Sequence, residues 1–301
     1  MDIVQFKKMF EPHFAKYVEE CMSNMHARLK DPLLKKLMNQ AGKIALAGGK
    51  RARPFLVYSM YKISGGKDDK VALRIAMSVE MFHIFCLIHD DITDRGKIRH
   101  GQKTIHECAK QAMRKAKRRG DVAHVSDGQA MLVGDLVYAW AYERIAGLRG
   151  VEESAHQEAL QVFVDALQDV IAGQMIDVDL TTRANAPSAL ILKKMELKTA
   201  SYTFIRPLEL GAALAGASPE VRKFCRVFGL EMGVAFQLQD DLLDIVGTEK
   251  TIGKKPLGDI REGQHTPISQ YAFAHAAPQD RKVLARVFGN IDLSPADALR
   301  V

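Results

Sequence analysis

The chain has 301 residues, of which 47 % are apolar, with a formal net charge of +7 and a pI near 9.1. That is enough apolar sequence for a globular protein with a substantial core, as one large domain or two ordinary ones, and a 7 % aromatic share with only 10 prolines fits a helical chain. The basic balance favours anionic partners such as phosphates, acidic membrane surfaces or nucleic acid, while the four cysteines (Cys21, Cys86, Cys108, Cys225) carry no metal spacing and read as reduced, largely buried thiols of a cytoplasmic protein.

In chain order, the first fourteen residues, MDIVQFKKMFEPHF, lack the apolar core of a signal segment. Gly48, Gly49, Lys50, Arg51, Ala52, Arg53 and Pro54 follow as a cationic turn. Its glycines let a backbone approach an anion, and its basic side chains offer charge-assisted donors. Helical periodicity then predicts long helices over 71–88, 130–146, 155–178, 191–215 and 220–245, with breakers between them. The longest apolar stretch, 75–88, is interrupted by Glu80 and His83 and is too short and polar to span a bilayer. No segment alternates with the period of a strand. The expected architecture is all-α, a single domain over 1–301 with a cavity between helices.

Two acidic clusters of identical spacing dominate the chain. Asp90, Asp91 and Asp94 close the first helix carrying such a motif, and Asp240, Asp241 and Asp244 repeat the DDxxD pattern 150 residues later. Positions i and i+4 share a helix face, so each motif aims two carboxylates one way. Like charges about 4 Å apart repel by about 4 kcal/mol at an effective dielectric near 20. Two such clusters facing each other across a cleft therefore call for cations between them. Carboxylate oxygens suit Mg²⁺, which binds through one or two carboxylates and substrate phosphates. The expected site is a cavity where Mg²⁺ bridges aspartates to a diphosphate.

Cations stand close by in sequence. Arg99 either reaches the anion held through metal by Asp90 and Asp94 or pairs back onto those aspartates. Gly173-Gln174-Met175-Ile176-Asp177, Lys198-Thr199 and Phe236-Gln237 add polar groups to helices, and the Gly- and Lys-rich run 253–263 could close over a diphosphate. A basic insertion around 107–128 puts Lys110, Arg114, Lys115, Lys117, Arg118 and Arg119 within ten positions. It reads as a solvated segment, or as a contact for an anionic membrane surface. Nucleic acid is disfavoured, because no aromatic residue is interleaved there for stacking on bases.

Together these motifs resemble the trans-isoprenyl diphosphate synthases of the polyprenyl synthetase family. GGKRARP (48–54), VEMFHIFCLIHDDITD (79–94), the Arg99 region, GQMID (173–177), KT (198–199), FQLQDDLLD (236–244) and GKKPLGDIREG (253–263) arrive in the family's order. The resemblance implies a bundle of long helices around a deep cavity, usually a homodimer. It also implies condensation of isopentenyl diphosphate with an allylic diphosphate. Asp90, Asp94 and Asp240 would bind Mg²⁺, three ions per site, with Asp91, Asp241 and Asp244 acting directly or through water. Arg99, Lys198 and Lys254 or Lys255 would grip the allylic diphosphate. Gly49, Lys50, Arg53 and His83 would lie at the isopentenyl diphosphate, and Thr199 and Gln237 beside the developing carbocation.

Phe85 and Cys86 precede Asp90 by five and four positions, about one helical turn. Phe85 is expected to floor the cavity and set a medium product length, geranylgeranyl first and farnesyl next. The chain departs from the family at His100, where a second arginine is usual, and at Gln264, where a lysine is usual. Both departures bear on substrate affinity. A class I terpene cyclase, a longer-chain polyprenyl diphosphate synthase and a non-catalytic relative are the competing readings. The cyclase is disfavoured by the second DDxxD and by the 48–54 motif, and the non-catalytic relative by the retention of both acidic clusters.

Overall fold

The computed structural model describes residues 1–248, 256–290 and 292–293, which pack as two compact units: Met1–Leu160 with Leu210–Ala217, and Gln161–Glu209 with the chain from Ser218 onward. Among the described residues the only strands are a two-residue antiparallel pair, Ile98–Arg99 with Gln102–Lys103. Everything else of regular structure is helical, as the periodicity predicts.

The first unit is organised around α4 (Asp69–Thr93). This helix is buried on almost every side from Val71 to Ile88. It is long and apolar enough to cross a membrane by length and composition, yet 89 % of its most apolar window is buried in the protein, as in a core helix. Three helices ahead of it lie outside the predicted set: α1 (Ile3–Arg28), α2 (Pro32–Leu46) and α3 (Ala52–Ile63). Asp2, Asp31 and Asp68 cap α1, α2 and α4 by accepting from backbone N–H groups of the first turns. Along α1, Phe6, Phe10 and Phe14 recur every fourth position and are fully buried, with successive ring centroids 5.3 Å apart.

Two further helices complete this framework, α5 (Ile105–Lys115) and α6 (Val122–Ala146). The insertion expected as a solvated segment is thus mostly helix, and Cys108, Ala109 and Met113 of α5 are buried. Its charges divide: Lys110 pairs with Glu107, whereas Arg114, Lys115, Lys117, Arg118 and Arg119 stay exposed. Helix α6 lies very close to α4, because a Cβ at Gly134 would stand 2.4 Å from the His89 ring. Ser78 and Tyr17 tie the packing by donating to the carbonyls of Ala141 and Trp140, each over 2.6 Å. All four cysteines are buried, and none is in a disulfide.

The second unit is built on α7 (Glu153–Leu180), whose residues from 161 onward belong to it, and α10 (Pro219–Val246). The predicted helix 191–215 is three successive segments: α8 (Ser188–Lys194), a π-helix (Met195–Ile205) and α9 (Arg206–Leu214). Short helices Gly258–Glu262, Pro267–His275 and Pro278–Val287 follow, with Leu257, Ile260, Val287 and Leu293 as a small core.

Arg51 shows how the first unit is locked. It lies in the cationic turn at a backbone φ of 54°, but its side chain points inward rather than to a ligand. The guanidinium is 1 % exposed, pairs with Glu80 and Glu11, donates to Ala45 O and stacks 5.1 Å from the Phe14 ring centroid. Removing one member of a buried pair leaves an uncompensated charge. The expected loss for Glu80→Ala is about 3 kcal/mol, measured as a fall in the urea midpoint of unfolding.

Candidate active site

In the first unit, the last turn of α4 carries Asp90, Asp91 and Asp94. Asp94 caps the helix, its N–H bonding Asp90 O at 2.8 Å. The chain reverses through Arg95 and Gly96, and Gly96 N–H closes on Asp91 O at 2.9 Å. The small β-hairpin then swings Arg99 back. His100 and Gly101 at its tip both adopt positive φ, 49° and 73°. Thr104 Oγ1 fastens the base of the hairpin to Gly96 O at 2.7 Å.

The result separates the three aspartates. Asp90 and Asp94 are half-buried, one turn apart. Asp91 is 2 % exposed and turned onto Arg99, whose Nε and Nη2 donate to its Oδ1 at 2.9 and 2.6 Å. Asp91 Oδ2 is buried with no hydrogen-bond partner among the described residues. Burial pushes the Asp91 carboxyl up, and Arg99 offsets part of that rise. Arg99 therefore pairs back onto the motif, and the pair fixes a guanidinium beside Asp90 and Asp94.

A second basic cluster surrounds His83. Arg53 Nη1 stands 3.3 Å from His83 Nε2. Burial, then Arg53, Arg99, His100 and Arg51, drive the His83 pKa well below its usual value, so the ring is neutral. Its lone pair can then take an Arg53 N–H while the guanidinium keeps its charge. Of the other predicted anion-binding residues, Gly49 and Lys50 are exposed, with Gly48 and Gly49 at φ 100° and 142°. Lys7 Nζ donates to Gly49 O at 2.8 Å.

The second unit holds the other acidic motif near the C-terminal end of α10. Asp240 is exposed, but Asp241 and Asp244 are buried at 3 % and 2 %. Asp240 and Asp244 stand four positions apart on α10, with Asp240 exposed and Asp244 enclosed. Asp244 Oδ2 accepts from Asp259 N–H at 3.0 Å, and its carbonyl accepts from Leu257 N–H at 2.7 Å, so it anchors the helix Gly258–Glu262. Asp241 Oδ1 accepts from Gln237 Nε2 at 2.7 Å, and Gln237 Oε1 accepts from Thr199 Oγ1. This chain of hydrogen bonds joins Thr199, Gln237 and Asp241. Burial raises the Asp241 pKa, with Gln237 and Lys194 opposing.

Lys198 pairs with Asp177 of GQMID, a residue that sequence reading left without a role. Asp177 is 3 % exposed and also meets Lys194 at 3.1 Å. Burial would raise its pKa, but Lys198 and Lys194 outweigh burial and hold it below the usual carboxylate value. Gln264 Nε2 approaches the same carboxylate at 3.4 Å. Lys254 and Lys255 lie outside the described residues.

Glycines permit this convergence. A Cβ at Gly173 would fall 2.4 Å from Lys198 N, and one at Gly233 would fall 2.3 Å from the Cα and Cβ of Ala200. A Cβ at Gly229 would meet Ile205 Cα at 2.8 Å. The π-helix is thus packed backbone-close against both α7 and α10. Local widening of a helix to π geometry recurs at functional sites, and here it covers Lys198 and Thr199.

Phe85, the expected floor, does not stand alone. It is buried among Tyr138, His89 and Phe82, with ring centroids 5.3, 4.7 and 5.8 Å away. Cys86 is buried beside it in sequence. Tyr138 of α6 escaped the sequence reading because its signal is an ordinary apolar position on a helix.

Comparison with known proteins fits this arrangement. The Polyprenyl synthetase family model matches residues 35–299, extending past Pro267 where the recognisable motifs end. The geranylgeranyl diphosphate synthase of Saccharolobus solfataricus is 30 % identical over 288 residues, 94 % of this chain and 81 % of that one. The geranylfarnesyl diphosphate synthase of Aeropyrum pernix is 32 % identical over 237 residues, 78 % of this chain and 69 % of that one. A crystal structure of geranylgeranyl pyrophosphate synthase from Corynebacterium glutamicum, complexed with isoprenyl diphosphate and magnesium, superposes with a TM-score of 0.88 at 28 % identity, covering 97 % of this chain and 84 % of that one. The chain belongs to the polyprenyl synthetase family and is a prenyltransferase with the all-α isoprenoid synthase fold.

The glycine contact gives a direct test of the second unit. In Gly173→Val the side chain must push α7 off the π-helix and displace Lys198. Such a shift is expected to lower kcat by about 10²-fold with the helical content retained, checked by steady-state prenyl transfer alongside circular dichroism.

Proposed function

We propose that the chain joins isopentenyl diphosphate to an allylic diphosphate, head to tail, and releases a medium-length trans-prenyl diphosphate. The observation that carries this reading is the same in each unit: a DDxxD motif accompanied by a cation fixed on a buried aspartate. Arg99 on Asp91 is one case, and Lys198 on Asp177, near Gln237 and Asp241, is the other.

The donor set suits a divalent cation of the magnesium type. It is all carboxylate oxygen, and among the described residues no three His, Cys, Asp or Glu side chains gather closely enough to hold a metal ion by themselves. Such a set fits an ion that completes its shell with water and substrate phosphate. In this reading Asp90, Asp94 and Asp240 hold the ions, three per site, while Asp91, Asp241 and Asp244 act from behind as anchors. Magnesium bound there supplies charge neutralisation of the leaving diphosphate.

The protein's own groups do the rest. Arg99, Lys198 and one of Lys254 or Lys255 grip the allylic diphosphate, and Lys50, Arg53 and His83 receive that of isopentenyl diphosphate, with His100 at the rim. The allylic C–O bond breaks, and its electron pair leaves with the diphosphate. The double bond of isopentenyl diphosphate attacks the resulting cation and forms the new C–C bond. The released diphosphate takes the proton. Thr199 and Gln237 present oxygen dipoles to the cation, and apolar walls exclude the water that would quench it.

Incubation with isopentenyl diphosphate, a series of allylic diphosphates and Mg²⁺, read by product mass, is expected to give elongated diphosphates with geranylgeranyl diphosphate foremost. Cyclic hydrocarbons would indicate a cyclase, and no turnover a binding role. Phe85→Ala is expected to move the product ladder to longer chains. Because Tyr138 backs Phe85, Phe85→Ala with Tyr138→Ala should move it further, and an unchanged ladder in both would remove Phe85 as the floor.

Two associations belong to the same reading. A homodimer is supported by exposed apolar side chains on α6, such as Met131 and Leu132 at 48 % and 63 % exposure, and a cytoplasmic location by four cysteines without a disulfide. Contact with anionic lipid is supported by exposed Arg114, Lys115, Lys117, Arg118 and Arg119, each worth about 1 kcal/mol near a charged surface. Light scattering should return twice the 33.4 kDa chain mass. Vesicles rich in phosphatidylserine should pellet the protein at low salt and release it when Lys115, Lys117, Arg118 and Arg119 are changed to Gln.

A further inference from the structure

Lys194 is a buried lysine that the mechanism above does not use. It is 8 % exposed, at the junction of α8 and the π-helix, one turn before Lys198. Its ammonium meets Asp177 Oδ1 at 3.1 Å and donates to His265 O at 2.9 Å. The His265 ring is itself tied to Arg183 O at 2.9 Å, so the carbonyl that receives Lys194 belongs to a fixed segment. Asp177 Oδ2 is left for Lys198, with the Gln264 amide at 3.4 Å. The carboxylate is thus divided, one oxygen for each lysine.

We propose that Lys194 is a positioning residue that, through Asp177, aims Lys198 at the allylic diphosphate. This rests on the reading that Lys198 grips that diphosphate. A lone Asp177–Lys198 pair would be electrically neutral and would hold the ammonium for itself. With Lys194 on Oδ1, a second cation holds Asp177 in place, and Oδ2 sets where the Lys198 ammonium sits. Position 264 sharpens the argument. A lysine is usual there in the resembling family, and its ammonium would reach the same carboxylate. Here the residue is glutamine, and the second cation comes from α8 instead. Lys194 and Gln264 together relocate one positive charge around Asp177.

The test is a charge relocation. Lys194→Met is expected to raise KM for the allylic diphosphate about tenfold, and to weaken calorimetric binding of inorganic diphosphate with Mg²⁺ by a similar factor, while KM for isopentenyl diphosphate stays within about twofold. Lys194→Met with Gln264→Lys is expected to restore allylic KM and diphosphate affinity to within about threefold of the native enzyme. An unchanged allylic KM in folded Lys194→Met would overturn the proposal. So would a double variant that regains thermal stability but not affinity, since that is the signature of a purely structural lysine. If Lys194→Met does not fold, Gln264→Lys on the native background carries the test. A third ammonium on Asp177 should tighten inorganic diphosphate measurably, and no change would overturn the proposal. Absence of turnover by the native enzyme, or full allylic affinity in Lys198→Ala, would instead overturn the parent reading.

Discussion

A carboxylate removed from water must be neutralised or matched by a cation, and this constraint shapes the chain more than any other. Several acids of its interior are held by basic partners, while Asp241 and Asp244 are met by an amide and a backbone N–H. Glu80 is held by Arg51, Asp91 by Arg99, and Asp177 by Lys194 and Lys198. The first pair is structural and joins α1, α3 and α4. The other two pair a cation with a buried aspartate, Asp91 within the first acidic motif and Asp177 on α7. The cost of desolvating each ion is offset by its partner rather than by the ligand, so the charges are in place before a ligand arrives. In this sense the inner aspartates are scaffolding for cations, and the outer ones, Asp90, Asp94 and Asp240, are the carboxylates left facing outward or half-covered.

Such preorganisation requires close backbone approach. Lys198 can meet Asp177 because α7 has glycine at 173, and Thr199 can meet Gln237 because α10 has glycines at 229 and 233. The π-helix contributes by changing the angular spacing of Lys198 and Thr199 relative to an α-helix. Side chains that would point at 100° intervals are spread differently, and consecutive residues address two different neighbours. Lys198 addresses α7 while Thr199 addresses α10. The glycines and the π turn are therefore one device seen from two helices.

Much of this was legible in the sequence. The predicted spans 71–88, 130–146, 155–178 and 220–245 fall inside α4, α6, α7 and α10, because long periodic apolar stretches leave little ambiguity. The three N-terminal helices were harder. Pro12 sits within α1 and Pro54 within α3, and proline normally signals a break. The span 191–215 reads as one helix since an apolar pattern does not distinguish 3.6 from a wider π period. The insertion looked solvated because its charges outnumber the few positions, Cys108, Ala109 and Met113, that anchor α5. At the candidate site, the motifs drew attention to Asp90, Asp94, Lys198, Thr199 and Gln237. They did not reveal that Asp91, Asp241 and Asp244 turn inward, since that depends on a hairpin, an amide and a helix start contributed by other segments. Lys194 was invisible for a similar reason: next to Lys193 it looks like part of a solvated face, and only Asp177 and the His265 carbonyl bury it.

The cluster around His83 follows the same logic with the sign reversed. Several cations gather around a ring that burial keeps neutral. A protonated imidazole would add repulsion to Arg53 and Arg99. The neutral ring removes that cost and offers a lone pair to Arg53. His100 is affected similarly, its pKa lowered by burial and then by Arg99 and Arg51. Replacing the usual second arginine by His100 therefore relieves crowding among guanidiniums at neutral pH. It does so by giving up one permanent charge beside Arg99 and Arg51.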